Sequence, residues 1–64
     1  MSRSELERHL RKHKARFVRH GGNHDIWESE DGEKESQIPR HPEIKKGTAR
    51  RIFDDLGVPR HPSL

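Results

Sequence analysis

The sequence predicts an α+β fold in the order helix, three antiparallel strands, helix. Three observations carry this. Apolar residues recur at helical spacing at both ends of the chain: Leu6 and Leu10 early, then Ala49, Ile52, Phe53 and Leu56 late. Between them lie three short β-prone runs, around Phe17-Val18, Ile26-Trp27 and Ile38. Gly21-Gly22-Asn23 and Asp31-Gly32 separate those runs with residues that suit tight hairpin turns.

In chain order, Ser2 or Ser4 can cap a first helix that runs to about Lys14. Its apolar stripe is narrow and the rest is charged, so one face packs and the remainder is wet. Residues 15–20 read as the first strand, 24–29 as the second and 33–38 as the third. Gly21-Gly22-Asn23 supplies the positive φ that the first turn requires. Pro39 ends the third strand, and Pro42 keeps the next loop extended. The last helix spans about 47–56 with Gly57 just beyond its end, and Val58 packs back beneath it. Both helices are expected on one face of the sheet.

Sixty-four residues form a single domain, 1–64, with an ordered core of about 3–58 and a short tail at 59–64. Only 25% of the residues are hydrophobic, so each apolar side chain bears on the fold. There is no cysteine, which removes disulfides and thiolate metal sites together. No apolar run approaches the roughly 18 residues of a membrane span, and no signal-peptide core is present. The expected location is the cytoplasm, with no membrane partner. The net charge of +3 is modest, but its distribution is uneven. Acidic residues gather at 28–35 and basic ones at 8–20 and 40–51, so a polyanion or an acidic protein could meet the basic surfaces.

His24 is the first candidate for chemistry. Histidine exchanges protons near neutrality, and the glycine turn before it lets a substrate backbone approach closely. RNA cleavage needs such a base to take the ribose 2′-hydroxyl proton. The alternative is a strand histidine with no role. Lys45, Lys46, Arg50 and Arg51 flank the start of the last helix, whose unpaired amides and dipole favour phosphate, and Arg40 stands close by in the chain. The alternative there is a solvated basic face. His9 and His13 have the i, i+4 spacing of two metal ligands, but a site needs more, and nothing points to His20 or Glu5 as a third. No metal and no small-molecule cofactor is expected. Alternation sets His24, Ile26 and Glu28 on one face of their strand and Asp25 and Trp27 on the other. Trp27 is then either core or an exposed contact for RNA or a partner.

Four segments together resemble the HicA toxins, small ribonucleases of bacterial and archaeal toxin–antitoxin pairs. They are Gly22-Asn23-His24, Ile26-Trp27, Ile38-Pro39-Arg40-His41, and 45–52 from Lys45-Lys46-Gly47 to Arg51-Ile52, leading to Leu56-Gly57-Val58. Asn23 stands where the family usually has serine, and Asp25 where many members have a second histidine. The resemblance implies a double-stranded-RNA-binding-domain-like fold and metal-independent cleavage of mRNA, with His24 as the catalytic residue. It also implies a HicB-type antitoxin that covers His24; Trp27 is expected to join that contact. In this reading Gly22, Asn23, Arg40, Lys45, Lys46 and Arg50 bind the RNA backbone. The resemblance leaves open which group protonates the leaving oxygen, for which His41 is one candidate. Two other readings stay open: a non-catalytic RNA-binding module of the same fold, and a protein-interaction domain with a basic surface.

Overall fold

Ser2 starts the first helix of the computed structural model, which describes residues 1–63. Its hydroxyl accepts the Glu5 amide at 3.1 Å, satisfying one of the amides that a helix start leaves unpaired. Helix α1 spans Arg3–Lys12, two residues shorter than expected. The chain reverses at Lys14, which adopts a left-handed φ of 69°. This lets the Ala15 amide reach back to the Leu10 carbonyl (3.0 Å) and the Lys14 amide to Arg11 (3.0 Å), a Schellman closure. Lysine carries no sequence signal for that conformation, which explains the misplaced boundary.

Three antiparallel strands follow in the spatial order β1-β2-β3: β1 Arg16–Gly21, β2 His24–Glu28 and β3 Glu35–Pro39. The first turn is tighter than the Gly21-Gly22-Asn23 expectation. Gly21 pairs with His24, leaving Gly22 and Asn23 as a two-residue loop with positive φ (37°) at Gly22. Asp31-Gly32, by contrast, sits within a longer connection. The Ser29 amide bonds the Lys34 carbonyl (2.9 Å), and β3 begins only at Glu35. Asp31 holds this loop by accepting from the Ser29 hydroxyl and the Glu33 amide, in that order the largest causes of its lowered pKa.

A bulge interrupts β1 between Phe17 and Arg19. Phe17 pairs with Trp27 while Arg19 pairs with Ile26, so two residues that plain alternation would put together lie on opposite faces. Phe17, His20, Asp25, Trp27, Ser36 and Ile38 share one face, and His24, Ile26 and Glu28 point from the other.

Both helices cover the Trp27 face, as the core demonstrates. Leu6 and Leu10 from α1 meet Trp27 and Ile38 from the sheet and Ala49, Ile52, Phe53 and Leu56 from α2, which spans Lys46–Leu56. Gly57 takes the left-handed conformation after α2, so that the Val58 amide reaches Phe53 (2.9 Å) and Val58 folds under the helix. Trp27 is only 1% exposed. The two faces left open by the sequence are thereby distinguished: Trp27 is core.

The residues between β3 and α2 are tied down rather than loose. Arg3 donates its amide to the Pro42 carbonyl (2.9 Å), and the Ile44 amide bonds Met1 (2.8 Å). Ile44 is buried beneath them, which fixes where Lys45 begins α2. Residues 59–61 of the expected tail pack back on α1: the His9 Nε2 lies 2.6 Å from the Pro59 carbonyl, and the His61 ring stands 5.1 Å from that of His9. Leu64, the last residue of that tail, lies outside the described residues. No helix among the described residues is long and apolar enough to cross a membrane.

Candidate functional site

His24 is the first residue of β2, held between Gly21 of β1 and Pro39 of β3. Its side chain leaves the sheet on the face opposite the helices and is partly exposed. No side-chain hydrogen bond engages its imidazole among the described residues, so both ring nitrogens are free for a ligand. Gly22 next to it has open space where a Cβ would stand, but its positive φ disfavours any other residue.

Asp25 points the other way, as alternation requires, and is 6% exposed. Three side chains converge on its carboxylate. Arg3 Nη2 from α1 donates at 2.7 Å, His20 Nδ1 from β1 lies at 2.7 Å, and Arg40 Nε from the loop after β3 donates at 2.8 Å. The Arg3 hydrogen bond, followed by those of Arg40 and His20, holds the Asp25 carboxyl far below the ordinary carboxylate range. It is therefore ionised, and as a pure acceptor it requires His20 to carry its proton on Nδ1. Arg3 also donates to the Pro39 carbonyl (2.8 Å), joining α1 to the strand that borders His24.

Arg40 reaches further. Its Nη2 approaches the His24 backbone carbonyl at 3.5 Å while Nε holds the Asp25 carboxylate, so one guanidinium ties both residues at the β2 start. A cation thus stands beside His24, with much of its surface open.

From Pro39 a shallow groove runs past His41, Pro42, Glu43 and Ile44 to Lys45 and Thr48. Its far end is the start of α2. Lys45 occupies the N-cap position without any side-chain cap bond, and the first turn contains no acidic residue. No side chain caps the first α2 amides, an arrangement that attracts an anion; the Glu43 carboxylate, paired with the Met1 ammonium at 3.0 Å, stands just before them in the groove. Lys45, Lys46 and Arg50 are exposed and form no ion pair among the described residues. Arg51 differs: it is held by Asp55 (2.9 Å) and the Gln37 carbonyl (3.3 Å).

Pro39, where the groove begins, pairs with His24, and Lys45 lines the far end; Gly22, Asn23 and Arg40 adjoin His24 and Pro39 along the chain, and Lys46 follows Lys45. Arg50 lies one turn into α2. Trp27 does not join them. The expectation that an antitoxin would contact its side chain is corrected, because α1 covers the ring: Arg11 stacks its guanidinium 5.3 Å from the indole centre. His9 and His13 do come together, with ring centres 4.8 Å apart, but the His9 ring is buried against Phe53 and its Nε2 is directed at Pro59. No group of three or more metal-ligating side chains occurs among the described residues.

His20 is the residue that sequence reading undervalued. The signal was present in the turn: with Gly22-Asn23 as the loop, closing pairs run Gly21 with His24 and His20 with Asp25. Treating Gly21 as part of the turn hid that register.

Neither the curated proteins nor the solved structures compared with the chain gave a match. A family model described as the HicA toxin of bacterial toxin–antitoxin systems matches residues 3–58, from the start of α1 to the residue that closes α2. With nearly all of its length matched, the chain belongs to the HicA toxin family and is the toxin of a toxin–antitoxin pair.

Proposed function

We infer that this toxin is an endoribonuclease that cleaves mRNA without a metal, using His24 as general base. In the reaction the His24 imidazole takes the proton of a ribose 2′-hydroxyl. That oxygen then attacks the adjacent phosphorus and forms a 2′,3′-cyclic phosphate. Arg40 neutralises the phosphate beside His24, while the backbone of Gly22 and Asn23 lets the strand approach. Lys45, Lys46 and the free amides of α2 hold a neighbouring phosphate along the groove, and Arg50 extends that cationic track. A single positioned base supplies about 10²–10⁴-fold of rate, so charge stabilisation at the phosphate contributes the remainder.

The observation that supports this most is a free imidazole on the residue paired with Pro39, where the groove begins, together with an uncapped, cation-flanked helix start at the groove's far end. A HicB-type antitoxin inhibits by covering His24 on the face opposite the helices. Its substrate being mRNA, the toxin works in the cytoplasm.

The test compares RNA cleavage by wild type and His24→Ala in the presence of a chelator, with circular dichroism of both proteins. We expect wild type to cleave and the folded variant not to. Equal cleavage removes His24 from the reaction. If neither protein cleaves but both bind RNA, the chain is an RNA-binding module.

A further inference from the structure

The groove supplies cations on the β3 side of His24, where Pro39 leads towards Lys45. What the β1 side supplies follows from the sheet register. On the face opposite the helices, β2 presents His24, Ile26 and Glu28, each at the centre of a three-strand rung. The first rung is Gly21–His24–Pro39, the next Arg19–Ile26–Gln37, and the last Arg16–Glu28–Glu35. Arg19 therefore shares a face with His24 as its diagonal neighbour across the β1–β2 pair. Strand geometry puts the two Cα atoms roughly 7–8 Å apart. Gly21 is the β1 residue paired with His24, so no side chain stands directly across from the histidine.

Charge distinguishes the two β1 arginines of that face. Arg16 is neutralised by Glu28 at 2.8 Å, and Glu35 adds a second carboxylate to its rung. Arg19 is exposed and forms no ion pair or side-chain hydrogen bond among the described residues. Its rung neighbours are neutral: Ile26, 8% exposed, forms the floor, and the exposed Gln37 lies beyond. These three line a shallow hollow that continues to Glu35 and to the Arg51–Asp55 pair. Arg19 is thus the one cation lining the hollow without a carboxylate partner among the described residues. A free guanidinium of this kind suits a phosphate, whose oxygens its planar fork can hold in pairs. Arg40 differs, since its Nε already serves Asp25.

We propose that Arg19 binds the RNA phosphate next to the cleaved bond on the β1 side of His24, opposite the phosphate held at the start of α2. The strand then passes from Lys45 over Pro39 and His24 to Arg19. The carboxylates of Glu28 and Glu35 repel a further phosphate, so the contact ends one nucleotide from the cut on that side. Arg19 acts on binding and placement, not on proton transfer. Backbone held on both sides of the attacked phosphorus keeps the 2′-oxygen near its line of attack. This rests on the ribonuclease reading and gives it a second anchor for the substrate.

The experiment maps the cut on a short RNA, then makes two further RNAs with one uncharged methylphosphonate at the phosphate on either side of it. Arg19→Met keeps an unbranched apolar stem without the charge. It should lower kcat/KM on the ordinary RNA by about 10-fold or more, and Arg19→Lys should recover part of that loss. Wild type should lose a similar factor on one methylphosphonate RNA, where Arg19→Met should lose nothing further. On the other methylphosphonate RNA the two proteins should lose equally. Arg16→Met removes the same charge from the same strand and face and should stay within about threefold of wild type. Independent losses on both methylphosphonate RNAs overturn the proposal. So does a loss in Arg16→Met equal to that in Arg19→Met, which marks net charge alone. A melting temperature lowered in both Arg19 variants marks the residue as structural and overturns it too. All three results leave the ribonuclease reading intact. A wild-type protein that cleaves no RNA overturns that reading itself, and the proposal with it.

Discussion

Arg3 and Asp25 meet at 2.7 Å although 22 residues separate them, and this contact locks the first turn of α1 to the strand that begins with His24. Both side chains are largely withdrawn from water, at 17% and 9% exposure. Removing one member of such a pair leaves the other charge buried. Arg40 and His20 remain on Asp25, so Arg3→Ala should cost about 3 kcal/mol, the lower end of the range for broken buried pairs. Urea unfolding measures this, and a loss below about 1 kcal/mol would show the pair to be peripheral to stability.

The same carboxylate gives the protein an acid-sensitive fold. Its folded pKa lies below the unfolded one, so its contribution is complete above the ordinary Asp value near 3.9 and is lost as pH falls below that. The urea midpoint of wild type should therefore drop between pH 5 and pH 3. Asp25→Asn should begin less stable at pH 7 and fall less steeply over that interval. Asp31 and Asp54 are lowered as well, but both are solvent-exposed and contribute a weaker slope. Parallel curves for the two proteins would remove Asp25 as the source.

Trp27 fills the centre of a small core, and its size matters more than its indole nitrogen. Nε1 is buried with no hydrogen-bond partner among the described residues. Trp27→Phe therefore loses no hydrogen bond and should cost about 1 kcal/mol or slightly more in lost packing. Trp27→Ala opens a large cavity and should cost about 4 kcal/mol, enough to unfold a chain of this size. Native Trp27 emission should be blue-shifted and resist a soluble quencher, with or without antitoxin. Efficient quenching of the free folded toxin would contradict the burial.

How much of this could be read beforehand depended on whether a residue's partner was local. The two apolar stripes and the Gly57 stop are written within one or two turns of chain and were legible, as was a serine cap, which the sequence left between Ser2 and Ser4 and the structure assigns to Ser2. Lys14 was not, because the closing bond from the Ala15 amide to the Leu10 carbonyl requires a left-handed φ at a residue with no preference for it. The β1 bulge was equally silent: Val18 looks like any strand residue, yet it shifts Phe17 and Arg19 onto different faces. In the candidate site, His24 and the basic start of α2 were legible as types and positions. The Asp25 hub was not, since it gathers Arg3, His20 and Arg40 from three separate elements.

Lys14 supplies a further test from that same misreading. A non-glycine residue in the left-handed region is strained by roughly 1–2 kcal/mol, while glycine adopts it freely at a smaller entropic cost. Lys14→Gly should raise stability by about 0.5 kcal/mol without altering RNA cleavage. A destabilised variant would mean that the lysine stem makes contacts outweighing the strain.

Lys45 and Lys46 stand at the start of α2 with no acidic partner among the described residues, so their charge is available to a polyanion. Each phosphate contact to single-stranded RNA releases about 0.7 of a counterion, which sets the slope of binding against salt. Replacing both lysines with alanine should weaken binding and reduce the log–log salt slope by about 1.4. The free α2 amides remain in that variant, so some anion affinity should persist at low salt. Helix α2 keeps its buried face of Ala49, Ile52, Phe53 and Leu56, and its melting temperature should stay within a few degrees of wild type. Asp54, paired with Arg60 at the opposite end of α2, provides a control: Arg60→Ala removes one positive charge far from the groove and should leave the slope nearly unchanged. If Arg60→Ala lowers the slope as much as a lysine substitution does, binding follows net charge alone. The start of α2 would then have no special claim on the phosphate.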